Sequence, residues 1–443
     1  MKSQSGKTLT TGPDANDTYI ITAGEIFPAG QVIELVRSAS GLTKPDLLFW
    51  NGEKSTVGRR IKYGDRLYEA PEIDTALYRT IRLPDRCSNY DSARALFDAI
   101  GELYERHLGL LRPESRLLAC FPLSTWLADR LANPLSLAIC CSDEALGIDV
   151  LRLLDCLCRH PLLLTEVTPA SLRSLPMHLS PTLLLNQQEL RPNLQRVLRA
   201  SCYPGLTFAG AAGSMVELSC AKAIFCGNDD ALDALAGDVI RVPLMPSRLR
   251  PSNLDEKTRQ QIADDFQPQL LSYRLQNCSK VHRSEIDVSL FAIAMQPVAR
   301  ALAQCFPADP ELAADAVQLL LPQDDEIRRE RTLEVDYVIV EILLAMLHQQ
   351  NHTAVGVKDL TKDVNVLLQA RGEIWSYSPE EIGRQLVGLK IARKRNGSGQ
   401  KVQFDRDTSQ SLHRSARAYD LLSGEHSRAG CTDCGEAQAV CPQ

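Results

Sequence analysis

The spacing of apolar residues changes repeatedly along the chain, and each change marks a different kind of element. Residues 1–16 are polar and predict a disordered tail. From 17 to 80, short apolar runs alternate with turn signals: 18–21 and 66–68 predict strands, Val32, Leu35 and Val36 have helical spacing, and Asn51-Gly52 and Gly64-Asp65 predict turns. A small α+β module is expected there. Between 81 and 133 the spacing becomes helical, with Leu96, Ile100, Leu103 and Leu110 on one face and Trp126, Leu127 and Leu131 beyond, which predicts a helical lead-in.

From 134 to 250, strand-length apolar runs at 135–141, 162–167, 182–185, 221–226 and 239–244 alternate with helical stretches. That alternation predicts an α/β domain with a mainly parallel sheet. Residues 251–330 lose the strand pattern, and Ile262, Phe266, Phe291, Met295, Val298 and Leu302 predict a helical lid. The segment 331–410 reads as an apolar helix, a second helix through Val364, a third capped by Ser378 with Pro379 at its first position, and a hairpin turning at Asn396-Gly397-Ser398-Gly399. Helix, helix, helix and a two-stranded wing is the order of a winged helix. Residues 411–443 predict a further helix and a cysteine-containing tail.

Composition narrows the possibilities. At 443 residues, 44% hydrophobic and 23% charged, the chain is a multidomain globular protein, and disordered, collagenous and fibrous classes are excluded. With 49 Lys plus Arg against 55 Asp plus Glu, the formal charge is -6, so any nucleic-acid surface must be a local patch. Several of the 14 cysteines sit in apolar runs, as at Cys120, Cys140, Cys141 and Cys226, and read as small buried hydrophobes. No run of ~18 apolar residues and no apolar amino-terminal segment is present, so neither a membrane partner nor export is expected. The expectation is a cytoplasmic protein with reduced thiols.

Two resemblances follow from particular residues. Tyr19-Ile20-Ile21, Gly24-Glu25, Asp46-Leu47-Leu48, Trp50-Asn51 and Gly64-Asp65-Arg66-Leu67 resemble a LysM module, which implies glycan binding outside the cytoplasm. Over residues 90–420 the chain resembles the P-loop, AAA-type primase-helicase-like proteins of mobile elements, a group that includes uncharacterised bacterial proteins. Pro181-Thr182-Leu183-Leu184-Leu185 is similar to the strand that carries their acidic motif, Ala221-Lys222-Ala223-Ile224-Phe225 to their sensor strand, and the segment from Trp375 through the hairpin to their winged helix. The resemblance implies a P-loop NTPase-like parallel-sheet core.

The catalytic positions depart from that family. A phosphate loop needs G-x-x-x-x-G-K-[ST], because backbone amides wrap the phosphates, Lys neutralises them and Ser/Thr holds Mg²⁺. The matching window is Ser142 to Asp149, where only Gly147 fits, Ile148 stands in place of the lysine and Asp149 in place of the hydroxyl. Asp143 and Glu144 add negative charge to the anion cradle. The metal-holding acids are replaced by Asn186 and Gln187, and the nearest arginine-finger candidate, Arg241, lies inside a predicted strand. Ser5-Gly6-Lys7-Thr8 lacks a preceding strand and a first glycine and reads as tail. The expectation is a pseudo-ATPase scaffold without catalytic residues, with an altered nucleotide site or an unrelated α/β domain as the alternatives.

Two further groups carry chemistry. Lys390, Arg393, Lys394, Arg395 and Lys401 fall in a stretch without acids, and together with Arg384 and Gln385 they suit DNA contact by a recognition helix and wing. The plainer reading is a solvated hairpin whose charges discourage strand pairing. At the carboxyl end, Cys431 and Cys434 form a C-x-x-C pair that Cys441 and His426 could complete as a tetrahedral zinc site, against the alternative of a flexible tail with exposed thiols. No other cofactor is expected. The expected role is a non-catalytic, DNA-binding or scaffold component in a replication or mobile-element setting, partnered by DNA, an active ATPase homologue or a second copy; a protein-interaction module without DNA binding is the alternative.

Overall fold

In the computed structural model, five strands pair in parallel, and the three inner ones are buried along most of their length, the pattern of strands covered on both faces. Across the sheet they are Ile240–Pro243, Ser136–Cys140, Lys222–Cys226, Thr182–Asn186 and Pro161–Thr165. In chain order this is fifth, first, fourth, third, second. Ser136–Cys140 and Lys222–Cys226 are buried at every position. The structure describes residues 19–39, 44–209, 215–227, 235–245, 254–281, 286–349, 353–396, 399–423, 428 and 431–434; the expected tail 1–16, His426 and Cys441 lie outside them.

The chain divides into two compact units, Met1–Asp287 with Pro297–Leu320, and Val288–Gln296 with Leu321–Gln443. The segment 251–330, expected as a helical lid, is shared between the two units. The helix Glu256–Asn277 belongs to the first unit, where the Gln267 amide donates to the carbonyls of Cys156 and Cys158, each at 3.0 Å. The helix Leu321–Arg331 belongs to the second.

The described residues between 19 and 69 form strands and turns, without a helix. Gly24–Ile26, Val32–Val36, Asp46–Trp50 and Ser55–Gly58 form an antiparallel sheet, and Tyr19–Ile21, Arg66–Glu69 and Arg60–Tyr63 a second one. The helical spacing at Val32, Leu35 and Val36 is therefore corrected to a strand. All five residues of Val32–Val36 are buried, which removes the alternation that would have marked a strand, and the β-branched Val and Ile favour the extended form. With that helix gone, the fold lends no support to a LysM-like module. The helices Ala93–Leu108 and Arg112–Thr125 follow, the first capped by Ser92 and ended by Gly109 in the left-handed region.

The second unit packs the helices Val335–His348, Val357–Ala370, Pro379–Gly388 and Arg406–Ala418 with a three-stranded antiparallel sheet in the order Ala354–Gly356, Gly399–Gln403, Arg393–Asn396. Val338, Ile339, Leu343, Leu360, Val364, Leu368, Ile382, Leu386, Val402 and Leu412 are its core. Ser378 caps its helix reciprocally with Glu381, and Pro379 fills the first position. The short strand Ala354–Gly356 had no signal in the sequence pattern. Among the described residues, no helix is long and apolar enough to cross a membrane.

Candidate functional site

Ligands of open α/β sheets bind outside the carboxyl ends of the strands. There the strand Ser136–Cys140 passes into the helix Glu144–Leu157 through Cys141, Ser142 and Asp143 alone. Asp143 caps that helix: its Oδ1 accepts from the Leu146 amide at 3.2 Å, and its own amide donates to Cys141 Sγ at 3.3 Å. The window that aligns with a phosphate loop is thus mostly helix. Gly147 is needed for packing, since a Cβ there would lie 2.3 Å from the Phe225 ring. Ile148 is half-buried on the same helix, and Asp149 pairs with Arg152 at 3.1 Å.

Asn186 ends its strand, and Gln187, 4% exposed, bridges loops. Gln187 Oε1 accepts from the Val167 amide at 2.9 Å, while its Nε2 donates to the Glu189 carbonyl at 3.2 Å. A carboxylate has no N–H and could make only the first of these bonds. Beside these strand ends lies a cavity of about 500 Å³ lined by Glu166, Gln187, Glu189 and Arg191 among others, with two acids against one base. Arg241 is half-buried within the strand Ile240–Pro243.

In the second unit, the hairpin register sets Lys394 opposite Lys401, and Arg395 opposite Gln400. Like charges directly across a hairpin repel, an arrangement that an anionic ligand relieves. The basic residues are not equally available. The Arg393 guanidinium donates to Gln400 Oε1 at 2.8 Å and packs over Gly383, and Lys394 reaches Asp405 at 3.4 Å. Arg384, Lys390 and Arg395 are exposed, and Gln385 is half-buried on the helix Pro379–Gly388. A groove of about 610 Å³ runs between the amino ends of Val357–Ala370 and Pro379–Gly388 and the hairpin, lined by Lys358, Arg393 and Lys401 with Asp359 and Glu380.

A third grouping lies at the end of the second unit. Val340, Leu344, Ala416 and Leu421 form a small apolar cluster between Val335–His348 and Arg406–Ala418. Leu344 and His348 are one turn apart, as are Ala416 and His413, so this seam brings the two imidazoles together. Their Nε2 atoms are 3.3 Å apart. A helical turn carrying Cys431 and Cys434 covers them, and the four ligand atoms lie within 4.8 Å of one another. Cys431 and Cys434 are the thiols picked out by their spacing. Among the described residues, the histidines beside them are His348 and His413, which carry no local signal; the expected His426 and Cys441 lie outside the described residues.

No protein-family model and no curated protein matches the chain. Among solved structures, it is similar to the C-terminal region of NrS-1, with TM-score 0.36, 9% identity and coverage of 84% of this chain and 96% of that one. A full-length MCM homolog from Methanopyrus kandleri gives TM-score 0.34 and 11% identity over 66% of this chain and 76% of that one. The Aeropyrum pernix ORC1 protein in complex with DNA gives TM-score 0.19 and 12% identity, over 75% of this chain and 95% of that one.

Proposed function

We propose that this chain is a pseudo-ATPase that has kept a P-loop-like core without its catalysis and serves as a DNA-binding or scaffold component in a replication or mobile-element setting. One observation carries the reading: three residues join the first core strand to its helix, and Asp143 already occupies that helix's amino end. A phosphate-wrapping loop needs a glycine-rich run of free amides and a lysine. Here the amide end is satisfied by a carboxylate, whose charge repels phosphate.

In this reading the second unit is the binding part. Its order of helix, strand, helix, helix and two-stranded hairpin is that of a winged helix, with Pro379–Gly388 as the recognition helix. Arg384 and Gln385 would meet the groove of a duplex, and Lys390, Arg395 and Lys401 its phosphates, with Arg393 and Lys394 acting once freed from Gln400 and Asp405. The core surface is left for a protein partner, an active ATPase homologue or a second copy.

Titration of labelled ATP with Mg²⁺ into the full chain, with hydrolysis followed in the same samples, tests the central claim. No saturable binding and no turnover is the expected result. Saturable binding with turnover would overturn it.

A further inference from the structure

We propose that His348, His413, Cys431 and Cys434 hold one Zn²⁺ ion in a closed tetrahedral site that clasps the tail turn to the second unit, a role independent of DNA or nucleotide binding. The argument starts from His413. It is 2% exposed, and its Nδ1 lies 2.8 Å from the carbonyl oxygen of Ser409. A carbonyl can only accept, so Nδ1 carries the proton and Nε2 presents its single lone pair. That lone pair faces three atoms at once: His348 Nε2 at 3.3 Å, Cys431 Sγ at 3.4 Å and Cys434 Sγ at 3.4 Å. Cys434 Sγ is also 3.4 Å from His348 Nε2. One lone pair accepts one hydrogen bond, so hydrogen bonding leaves most of this convergence without a cause.

A central cation supplies the cause. With Zn–N near 2.0–2.1 Å and Zn–S near 2.3 Å, a tetrahedron has N···N edges of about 3.3 Å and N···S edges of about 3.6 Å. The observed 3.3 and 3.4 Å match this frame. Two neutral imidazoles and two thiolates are a soft, mixed donor set suited to zinc. Binding releases both thiol protons, and the two thiolates cancel the charge of the ion, which allows the site to be buried.

The surroundings are built for this. The bond from His413 Nδ1 to Ser409 fixes the tautomer and the ring orientation, as outer contacts of metal-bound histidines do. The tail is held by Asp433, whose carboxylate accepts from Ser409 Oγ at 3.0 Å and whose carbonyl accepts from Arg417 at 3.0 Å. Four protein ligands leave no open position, so the ion is structural and not catalytic. It joins the tail turn to the two helices that meet at the small apolar seam of Val340, Leu344, Ala416 and Leu421.

The test uses the untagged full chain, purified without chelator under reducing conditions, with metal measured by elemental analysis. About one zinc per chain is expected. Cys431→Ser combined with Cys434→Ser should abolish it, and Cys87→Ser, at a half-buried cysteine of the first unit, should leave it unchanged. Should the double variant aggregate, Co²⁺ replacement in the folded wild-type chain reads the site directly, through intense visible bands of tetrahedral cobalt and near-ultraviolet thiolate charge transfer. A zinc content near zero together with no thiolate-cobalt spectrum would overturn the proposal, as would full zinc retention in the double variant.

Discussion

Arg274, wholly buried on the helix Glu256–Asn277, donates through Nε to Glu34 of the amino-terminal sheet at 2.5 Å. The same guanidinium reaches both carboxylate oxygens of Asp129, at 2.7 and 2.6 Å. Glu34 is equally buried and takes two further bonds from Arg159, at 2.8 and 3.0 Å. Three parts of the first unit thus meet at one carboxylate, and its loss would strip buried Arg159 of its carboxylate partner and leave Arg274 with Asp129 alone. Removing one partner of such a network costs about 3–5 kcal/mol. Glu34→Gln is therefore expected to lower the urea midpoint sharply, whereas replacement of the exposed pair partner Glu72 should barely move it.

The same cluster sets an acid limit. Burial opposes ionisation of Glu34, but Arg159 and Arg274 outweigh it and hold the carboxyl well below the usual range. Asp129 is lowered as well, by Arg274 against burial. In the unfolded chain both groups take up protons near their ordinary pKa of about 4, so the unfolded state binds more protons as the pH falls. Their stabilisation is complete above about pH 5 and is lost below it. Asp155, raised by burial against the pull of Arg82, works in the opposite direction. Denaturation curves at several pH values should show the gap between wild type and Glu34→Gln narrowing as the pH falls below 5.

Gly147 is set by Phe225, not by phosphate. A methyl group there meets the ring at 2.3 Å, and overpacking of this kind costs about 1–3 kcal/mol. Gly147→Ala should destabilise the chain with or without ATP, and Phe225→Leu in the same chain should recover part of the loss. A non-additive double-mutant cycle in chemical denaturation is the readout.

DNA retention by the full chain should weaken with salt. Arg395 and Lys401 are the hairpin cations with no hydrogen bond or ion pair to a neighbouring side chain among the described contacts, so replacing both by Ala should lower the log–log salt slope by roughly two. Replacing Arg393, Lys394 and Arg395 together should reduce retention further. Unchanged retention after the triple replacement would favour a protein-interaction role for the hairpin.

Removing the metal should loosen the second unit. Dialysis against a strong chelator is expected to lower the thermal midpoint, and zinc, but not magnesium, should restore it. The shift should vanish in the variant lacking both Cys431 and Cys434, as seen by calorimetry.

Much of the core was legible in the residues. Each of the five core strands overlaps an apolar run of the sequence, with Pro161 and Asn186 just outside, because strands buried along most of their length have little polar alternation to confuse them. The cap at Ser378 and the lack of a phosphate-loop motif around Gly147 were legible too, since both depend on neighbours within a few positions. The C-x-x-C pair was local in the same way.

Other features were decided only by packing. Val32–Val36 is a strand paired on both edges and buried at every position, which no spacing rule within five residues can report. The helices after the sheet were shared between two units by contacts far apart in the chain. His348 meets His413 across 65 positions and Cys434 across 86, and Glu34 meets Arg274 across 240. Propensity, capping and turn chemistry act over one or two turns of chain. The convergence of ligands and charges depends on which apolar faces find each other, and only the folded structure settles that.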